Sequence, residues 1–250
     1  ISLLSEINKI DLDGLITLAH DPFLPAFEAL IPGLVKAFDQ WGSSVGEMNA
    51  AIEILRQWDF KTSEDSVAMT LAHFYGTRYG QKGVRPFAMS DMELMTYFGS
   101  GSPEKERLAI FEETLQQLNA DFGTWNTPWG SVNRYQRLNG DPRQAFNDSL
   151  PSTPIGFASG RWGALAAYGA RYTNNTKKIY GTRGNSFVAV VSFGEKLQAK
   201  SILAGGQSGD LNSPHFGDQL SRYAEANFKE VLFYKEAVLK DAQRSYYPGE

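Results

Sequence analysis

The stretch GGQSGDLNSPHF, residues 205–216, contains residue types that could carry out nucleophilic hydrolysis. Ser208 lies between small residues, His215 follows seven positions later, and Asp210 and Asp218 lie nearby. A serine hydrolase needs such a hydroxyl, an imidazole that takes its proton, and a carboxylate that orients the imidazole. A self-sufficient Ser-His-Asp site is therefore the first hypothesis for this stretch.

The spacing within the stretch argues against that site. A nucleophile elbow has the pattern Gly-x-Ser-x-Gly and turns directly into a helix, whereas Asp210 stands where the second glycine is required. The helix-start signal, a serine followed by proline, comes only at residue 213, too late to form the elbow. We therefore interpret the following residues as a structural motif, a glycine-rich corner and a helix N-terminus: Gly206, Gln207, Ser208, Gly209, Ser213, Pro214 and His215.

Elsewhere the sequence offers little for metal or phosphate chemistry. Three histidines and no cysteine supply few ligands for a transition-metal ion, and we expect His20 and His73 to be packed or surface residues of helices. The glycines lack the spacing of phosphate-binding motifs. A net charge of −4 without a basic cluster predicts no nucleic-acid partner. No apolar run approaches the ~20 residues that a membrane span needs, so no membrane partner is expected.

Residues 1–122 have the apolar periodicity of helices. Two stripes recur at three- and four-residue steps, as in helices that bury one face: Phe23, Phe27, Leu30, Leu34 and Phe38, and Leu108, Phe111, Leu115, Leu118 and Phe122. Pro32 and Gly33 interrupt the first stripe and are expected to bend or split its helix. We predict a mainly helical region that ends near residue 122.

Polar residues ahead of the apolar stripes predict where these helices begin. Ser63 is expected to cap the helix that follows it. Ser90 and Glu93 have the spacing of a capping box. Ser102 and Pro103 together indicate a capping serine with proline at the first helical position.

Residues 123–250 have the pattern of short strands, turns and a few helices. The clearest strand is SFVAVVSF, residues 186–193. Apolar side chains occupy both of its faces, so we expect a layer above it and another below it. A short turn should pair it with an antiparallel strand at 197–204. Helices are expected after Ser213 and over 235–245.

Two long C-terminal segments have a distinctive order of features: YGTRGNSFVAVVSFG (180–194) and SILAGGQSGDLNSPHFGDQLSRYAEANFKEVLFYKEAVLKDAQRSYYPGE (201–250). A Gly-Asn turn enters a hydrophobic strand, a Gly-Gln-Ser-Gly corner follows, and Ser-Pro-His then precedes a Tyr-bearing helix. This order resembles the C-terminal end of the β-chain of the penicillin acylase family, which includes penicillin amidases and acyl-homoserine-lactone acylases. HDPFLPAFEALIPGLVKAF and AIEILRQWDF in the helical half are similar to the family's helices, with less specific motifs.

The resemblance implies an N-terminal nucleophile hydrolase with an α+β fold. Residues 123–250 would contribute strands and helices to an αββα sandwich that is incomplete in this chain, and residues 1–122 would pack against it. In such enzymes a serine exposed at the start of the β-chain attacks the amide, with its own α-amine as base. That serine and the oxyanion asparagine precede the part that matches Ile1 onward, so no catalytic residue is assigned here. Arg183 and Asn185 would line the site of the complete enzyme or serve as turn residues.

The same resemblance implies partners, a cofactor and a location. The partners would be the upstream α-chain and the N-terminal part of the β-chain, and the substrate a small acylated amide. A structural calcium ion of the family would be bound by upstream residues, so we expect no cofactor and no metal in these 250 residues. A periplasmic or secreted protein is expected. Because the chain opens at Ile1 without a methionine, we expect it to be a fragment.

Two alternatives to the acylase hypothesis stay open. In the first alternative the chain is a non-catalytic binding or scaffold module. This alternative stays open because nothing in these residues performs the chemistry unaided. In the second it is a self-sufficient serine hydrolase that uses Ser208 and His215. The coding sequence immediately before Ile1 would distinguish them.

Overall fold

The computed structural model describes residues 2–5, 7–83, 89–173, 175–247 and 249. These residues are helical up to residue 122 and mixed after it, which confirms the α+β class. The helices are α1 Ser2–Ser5, α2 Leu12–Ala19, α3 Pro25–Trp41, α4 Gly46–Arg56, α5 Val67–Lys82, α6 Asp91–Thr96, α7 Glu104–Phe122, α8 Trp129–Val132, α9 Leu220–Ala224 and α10 Lys235–Asp241. A π-helix, Tyr97–Gly101, continues α6, and Gly160–Trp162 is a 3₁₀ turn.

The strands of the described residues form two small sheets. They are β1 Asn133–Tyr135, β2 Thr153–Pro154, β3 Tyr168–Arg171, β4 Ile179–Gly184, β5 Phe187–Phe193, β6 Leu197–Leu203 and β7 Lys229–Glu230. One sheet has the order β2-β1-β4-β3, in which β1 and β4 run parallel; the other is antiparallel with the order β5-β6-β7. Phe187 pairs with Leu203 and Phe193 with Leu197, so the predicted hairpin is confirmed.

The main hydrophobic core lies among α3, α4, α5 and α7 and continues into residues beyond 122. The apolar stripe of α7 faces it as predicted, with Phe111, Leu115 and Leu118 fully buried. Trp129 and Trp162, from the second half of the chain, belong to the same core. A smaller cluster lies between the two sheets and α9 and contains Ile155, Tyr168, Ile202 and Tyr223. A division into regions 1–122 and 123–250 stays a prediction.

Pro32 does not split its helix, because α3 runs unbroken from Pro25–Trp41 with Pro32 inside it. The neighbouring glycine has a clearer structural role. A methyl group added at Gly33 would lie 1.5 Å from the carbonyl oxygen of Gly99, and one added at Gly99 would lie 2.1 Å from that of Ala29. The two glycines therefore allow the backbones of α3 and the π-helix to touch.

Two of the three predicted caps differ from the structure. The capping box of Ser90 and Glu93 is confirmed at the start of α6. Ser63 does not cap α5; Ser66 does, and its hydroxyl accepts from the amide of Met69 at 3.0 Å. α7 begins at Glu104, one residue later than predicted, with Pro103 and not Ser102 at the N-cap position.

Ser102 serves a buried arginine instead of the helix end. Its hydroxyl donates to the carbonyl of Phe98 at 2.7 Å and accepts from Nε of Arg107 at 3.1 Å. Arg107, which is 4% exposed, also donates to the carbonyls of Ser102 and Gly33. A buried guanidinium needs acceptors for its donors. The hydroxyl of Ser102 is one of these acceptors and therefore does not cap α7.

The helix predicted after Ser213 is present, but its predicted start is wrong. Residues 211–219 form consecutive turns, and α9 begins only at Leu220 with no side-chain cap. The hydroxyl of Ser213 accepts from the amide of His215 at 3.2 Å, which closes a local turn. The last helix is confirmed at its start but ends at Asp241, before the predicted residue 245.

The expectation of layers on both faces of the strand 186–193 is wrong for the described residues. Val188 and Val190 face the smaller cluster and α2. The other face is open to solvent, with Phe187 65% and Phe193 87% exposed. β5 is an edge strand, and no described residue covers that face. The sequence pattern is apolar on both sides, but only one side is covered within this chain.

Replacing Gly33 with alanine should lower the free energy of unfolding by about 1–3 kcal/mol, the usual cost of an extra methyl group in a close-packed contact. Gly46→Ala is the matched control, because an added methyl group there meets nothing within 4 Å. Urea unfolding of both variants would measure the difference. Equal stability of the two variants would show that the contact between α3 and the π-helix is not tight.

The corrected caps make a second comparison. Ser66→Ala should lower the free energy of unfolding by about 1 kcal/mol, because it removes the acceptor for an orphan helix amide. Ser213→Ala should change it by less than about 0.5 kcal/mol, since its turn lies at an exposed surface. Denaturant midpoints, compared at an unchanged m-value, measure both effects. A larger effect for Ser213→Ala than for Ser66→Ala would contradict the assignment of the cap.

Candidate functional site

Arg137 fixes the corner that contains the glycine-rich sequence. It lies just after β1, and its guanidinium donates to the carbonyls of Gly206 at 3.1 Å, Ser208 at 2.8 Å and Phe216 at 2.5 Å. The guanidinium also lies over the ring of Phe216, 4.3 Å from its centroid. Charge-assisted hydrogen bonds to three carbonyls hold both ends of the corner in place.

The serine and the histidine of this corner have separate partners. The hydroxyl of Ser208 accepts from the amide of Asp210 at 3.1 Å, and the amide of Ser208 donates to the carbonyl of His215 at 3.1 Å. The ring of His215 pairs with Asp218 through Nδ1 at 2.9 Å and is exposed. Within residues 205–218 no hydrogen bond joins the serine hydroxyl to the imidazole. The structure therefore brings these residues into one loop without aligning a nucleophile and a base.

The other residues of the proposed structural motif are backbone and surface elements of the same loop. A methyl group added at Gly206 would lie 2.2 Å from the carbonyl oxygen of His215, so the two limbs of the loop touch there. Gln207, Gly209 and Pro214 are exposed. That these residues have a structural and not a catalytic role stays a prediction.

A cleft of about 750 Å³ lies beside this corner, between β3, β4, the segment 135–146 and Ala204–Gly206. Four arginines contribute to its walls: Arg137, Arg143, Arg171 and Arg183. Asp141 is the one carboxylate among its lining residues. Tyr135, Tyr168 and Tyr223 are also among the lining residues, so the cleft has both positive and aromatic side chains.

The two residues expected to line a site are placed differently. Arg183 lies in the wall of the cleft. Asn185 is not among the residues that line the cleft. Its backbone N–H donates to the carbonyl of Ala167 at 3.0 Å, and its side-chain nitrogen Nδ2 is 3.5 Å from the carbonyl oxygen of Leu165. Their roles in a complete enzyme stay predictions.

Sequence reasoning missed the other arginines of the cleft. Arg137 and Arg143 of the cleft, together with Arg134, which does not line it, fall within ten residues of the chain, a local density of arginine that could have been noticed. Arg171 carries no comparable signal, because only the pairing of β3 with β4 brings it next to the others.

Two glycines in the sheet let side chains lie close to its two opposite faces. A methyl group added at Gly169 would lie 2.9 Å from Cγ of Arg183, and one added at Gly181 would lie 2.2 Å from the hydroxyl of Tyr168. The stem of Arg183 therefore crosses one bare backbone position and the ring of Tyr168 crosses the other. Without side chains at these positions, both groups lie flat against the sheet.

The histidines at 20 and 73 are packed residues, as predicted. Nδ1 of His73 accepts from Nε1 of Trp162 at 3.1 Å, and its ring packs against Trp129. Burial, followed by the positive charge of Arg161, lowers the pKa of His73 to about 3. His20 Nδ1 lies 3.1 Å from the carbonyl of Ile16.

Neither a metal centre nor a membrane span is found in the described part of the chain. No group of three or more histidine, aspartate and glutamate side chains there is arranged to hold a metal ion. None of the described helices has the length and apolar character to cross a bilayer.

Comparison with known proteins gives the family. Residues 1–240 match the model of the penicillin amidase family. This chain belongs to that family. A thermostable penicillin G acylase from Alcaligenes faecalis, in its orthorhombic form, is a similar solved structure, with 15% identity and a TM-score of 0.49. The match covers 98% of this chain and 50% of that chain, so this penicillin amidase chain spans about half the length of that relative.

The resemblance drawn from the sequence is thus confirmed at the level of the family, whose members are acylase-type hydrolases. The family match includes the helical half as well as the corner and the arginine cleft. The cleft and the corner are therefore parts of a penicillin amidase chain.

The buried histidine of this penicillin amidase chain makes stability depend on pH. Its pKa is about 3 in the folded protein and about 6.5 when exposed, so the neutral ring stabilises the fold above pH 6.5. That contribution should be lost as the pH falls from about 6.5 toward 3. His73→Gln keeps an acceptor for Trp162 but does not titrate, and its unfolding free energy should fall less over this range. If the unfolding free energies of the two proteins had the same dependence on pH, buried His73 would not be the cause of the pH effect.

Proposed function

We propose that this chain is the C-terminal part of an acylase that hydrolyses linear amide bonds and whose nucleophile lies upstream of residue 1. The match of residues 1–240 to the penicillin amidase family carries this proposal. The geometry of the corner supports it, since the hydroxyl of Ser208 and the ring of His215 have different partners. The self-sufficient hydrolase is correspondingly disfavoured.

In the proposed mechanism a chain-starting serine attacks the amide carbonyl. Its own α-amine takes the hydroxyl proton and passes it to the leaving amine, so the C–N bond breaks as an acyl ester forms. Hydrogen-bond donors of the upstream segment stabilise the oxyanion. Water then attacks the ester, which releases the carboxylic acid and restores the serine. This chain supplies structure around that centre, and the substrate proposed for the complete protein is a small acylated amide.

The upstream segments are the partners proposed for this chain. The open face of β5 supports this, because Phe187, Val191 and Phe193 present an apolar surface that no described residue covers. A second layer over that face would complete the αββα sandwich and bury those side chains. Burial of such side chains contributes roughly 1.5–3 kcal/mol each, which favours association of the two parts.

We also propose the remaining properties of the family for the complete protein. A structural calcium ion of the complete protein would be bound by upstream residues. A periplasmic or secreted location and maturation by cleavage before the catalytic serine follow from the same family assignment.

The test uses the complete protein and two serine variants. Ser208→Ala should retain most of the hydrolysis of phenylacetyl anilides or acyl-homoserine lactones, because its hydroxyl accepts a turn hydrogen bond. Alanine at the chain-starting serine should abolish turnover and acyl-enzyme formation together. Steady-state rates and mass spectrometry of the trapped acyl-enzyme would measure both.

Two outcomes would overturn the proposal. A loss of about 10³-fold or more in turnover for folded Ser208→Ala would be the size expected for a nucleophile and would revive the local triad. A complete protein without a chain-starting serine, threonine or cysteine that binds acyl compounds without turnover would establish the binding module.

A further inference from the structure

One asparagine in the sequence is followed by glycine, and the pair lies in the loop between β1 and β2. Asn139 and Gly140 are both exposed. Glycine has no side chain, so the backbone nitrogen of Gly140 is the least hindered of those that follow an asparagine in this sequence. An unhindered backbone nitrogen can attack the side-chain amide of the preceding asparagine. The pair is therefore a place where the chain can react with itself.

The two nitrogens that take part in such a reaction are available. The backbone N–H of Gly140 and the side-chain Nδ2 of Asn139 have no hydrogen-bond partner among the residues that the structure describes. The first nitrogen is the nucleophile, and the second is the leaving group. Because both residues are exposed, hydroxide from the solvent can take the proton of the Gly140 nitrogen.

Gln144 holds both the side chain and the backbone of Asn139. Oδ1 of Asn139 accepts from Nε2 of Gln144 at 2.8 Å and from the backbone N–H of Asp141 at 2.9 Å. Nε2 of Gln144 also lies 3.2 Å from the backbone carbonyl oxygen of Asn139. Oε1 of Gln144 accepts from the backbone N–H groups of Leu138 at 2.6 Å and of Asn139 at 3.3 Å. Ring closure must rotate the side chain and the backbone of Asn139, and these hydrogen bonds resist both rotations.

We propose that Asn139 is a modification site, which the Gly140 nitrogen converts to aspartate and isoaspartate at a rate that Gln144 limits. The Gly140 nitrogen loses its proton and bonds to Cγ of Asn139. Nδ2 takes up a proton and leaves as ammonia, so the C–N bond of the side-chain amide breaks and a cyclic imide remains. Water then opens the imide at either of its carbonyl carbons. Each conversion consumes one water molecule and releases one ammonia, and it does not depend on amide hydrolysis by the complete enzyme.

The products change the contact between this loop and the corner that Arg137 holds. A methyl group added at Gly140 would lie 2.3 Å from the carbonyl oxygen of Gly209, so the two loops touch there. Isoaspartate runs the backbone through the former side chain, which lengthens it by one carbon. Both products also place a carboxylate close to Asp141, where the amide was neutral. A longer backbone at a close-packed contact and a second negative charge both weaken the contact.

Peptide mapping by mass spectrometry, on the complete protein sampled during incubation in mildly alkaline buffer, tests the proposal. The peptide that contains Asn139 should gain the mass difference between an amide and a carboxylic acid, and the rate should rise with pH. Gln144→Ala should convert about five- to thirtyfold faster, the factor that corresponds to one or two lost hydrogen bonds. The unchanged protein in urea, where Gln144 no longer holds the loop, should also convert faster than the folded protein. Converted protein should unfold at a lower temperature.

Gln116→Ala is the matched control, because Gln116 is exposed on α7 and its side chain donates to Glu112 of the same helix. It should convert at the rate of the unchanged protein, and thermal unfolding should show that both variants are folded. The absence of a mass gain at Asn139 would overturn the proposal. So would equal rates in folded Gln144→Ala and the unchanged protein, or equal rates in the folded and the urea-unfolded protein.

Discussion

The bonds of Arg137 to three carbonyls hold the second half of the molecule together. They tie the end of β1 to both limbs of the corner at 205–216, which are far away in sequence. The corner then directs α9, because the amide of Gln219 donates to the carbonyl of Gly205 at 2.8 Å. Tyr223 of α9 in turn packs into the smaller cluster between the sheets. Without Arg137, three carbonyls at a tight corner would lose their donor.

Bare backbone positions make such close contacts possible in both halves of the chain. Gly33 and Gly99 let α3 meet the π-helix, and Arg107 caps the junction by donating to the carbonyl of Gly33. At the corner, Gly205 has a φ of +91° and Gly206 lies against the carbonyl of His215. In each place an arginine donates to backbone carbonyls beside the close contact.

The same physical features connect the fold to its proposed role. A corner fixed by Arg137 positions one wall of the cleft, and Gly169 of β3 lets the stem of Arg183 lie against the sheet. The open face of β5 provides an apolar surface for the rest of a penicillin amidase. The chain thus contributes a rigid support, an uncovered sheet face and a cationic cavity.

Local sequence determined the elements that depend on neighbouring residues. Apolar periodicity predicted the buried stripe of α7, the capping box at Ser90 followed from its spacing to Glu93, and the hairpin of β5 and β6 followed from two apolar runs around a turn. Longer motifs also gave the family. Only the tertiary structure decided that Ser102 serves Arg107, that Ser213 closes a turn, and that four arginines share one cleft. Ser213 pairs with His215 two residues away, in a local turn that the Ser-Pro pattern does not distinguish from a helix start. The burial of Arg107 against Gly33 and the assembly of the four arginines depend on partners that are distant in sequence, and no local pattern contains that information.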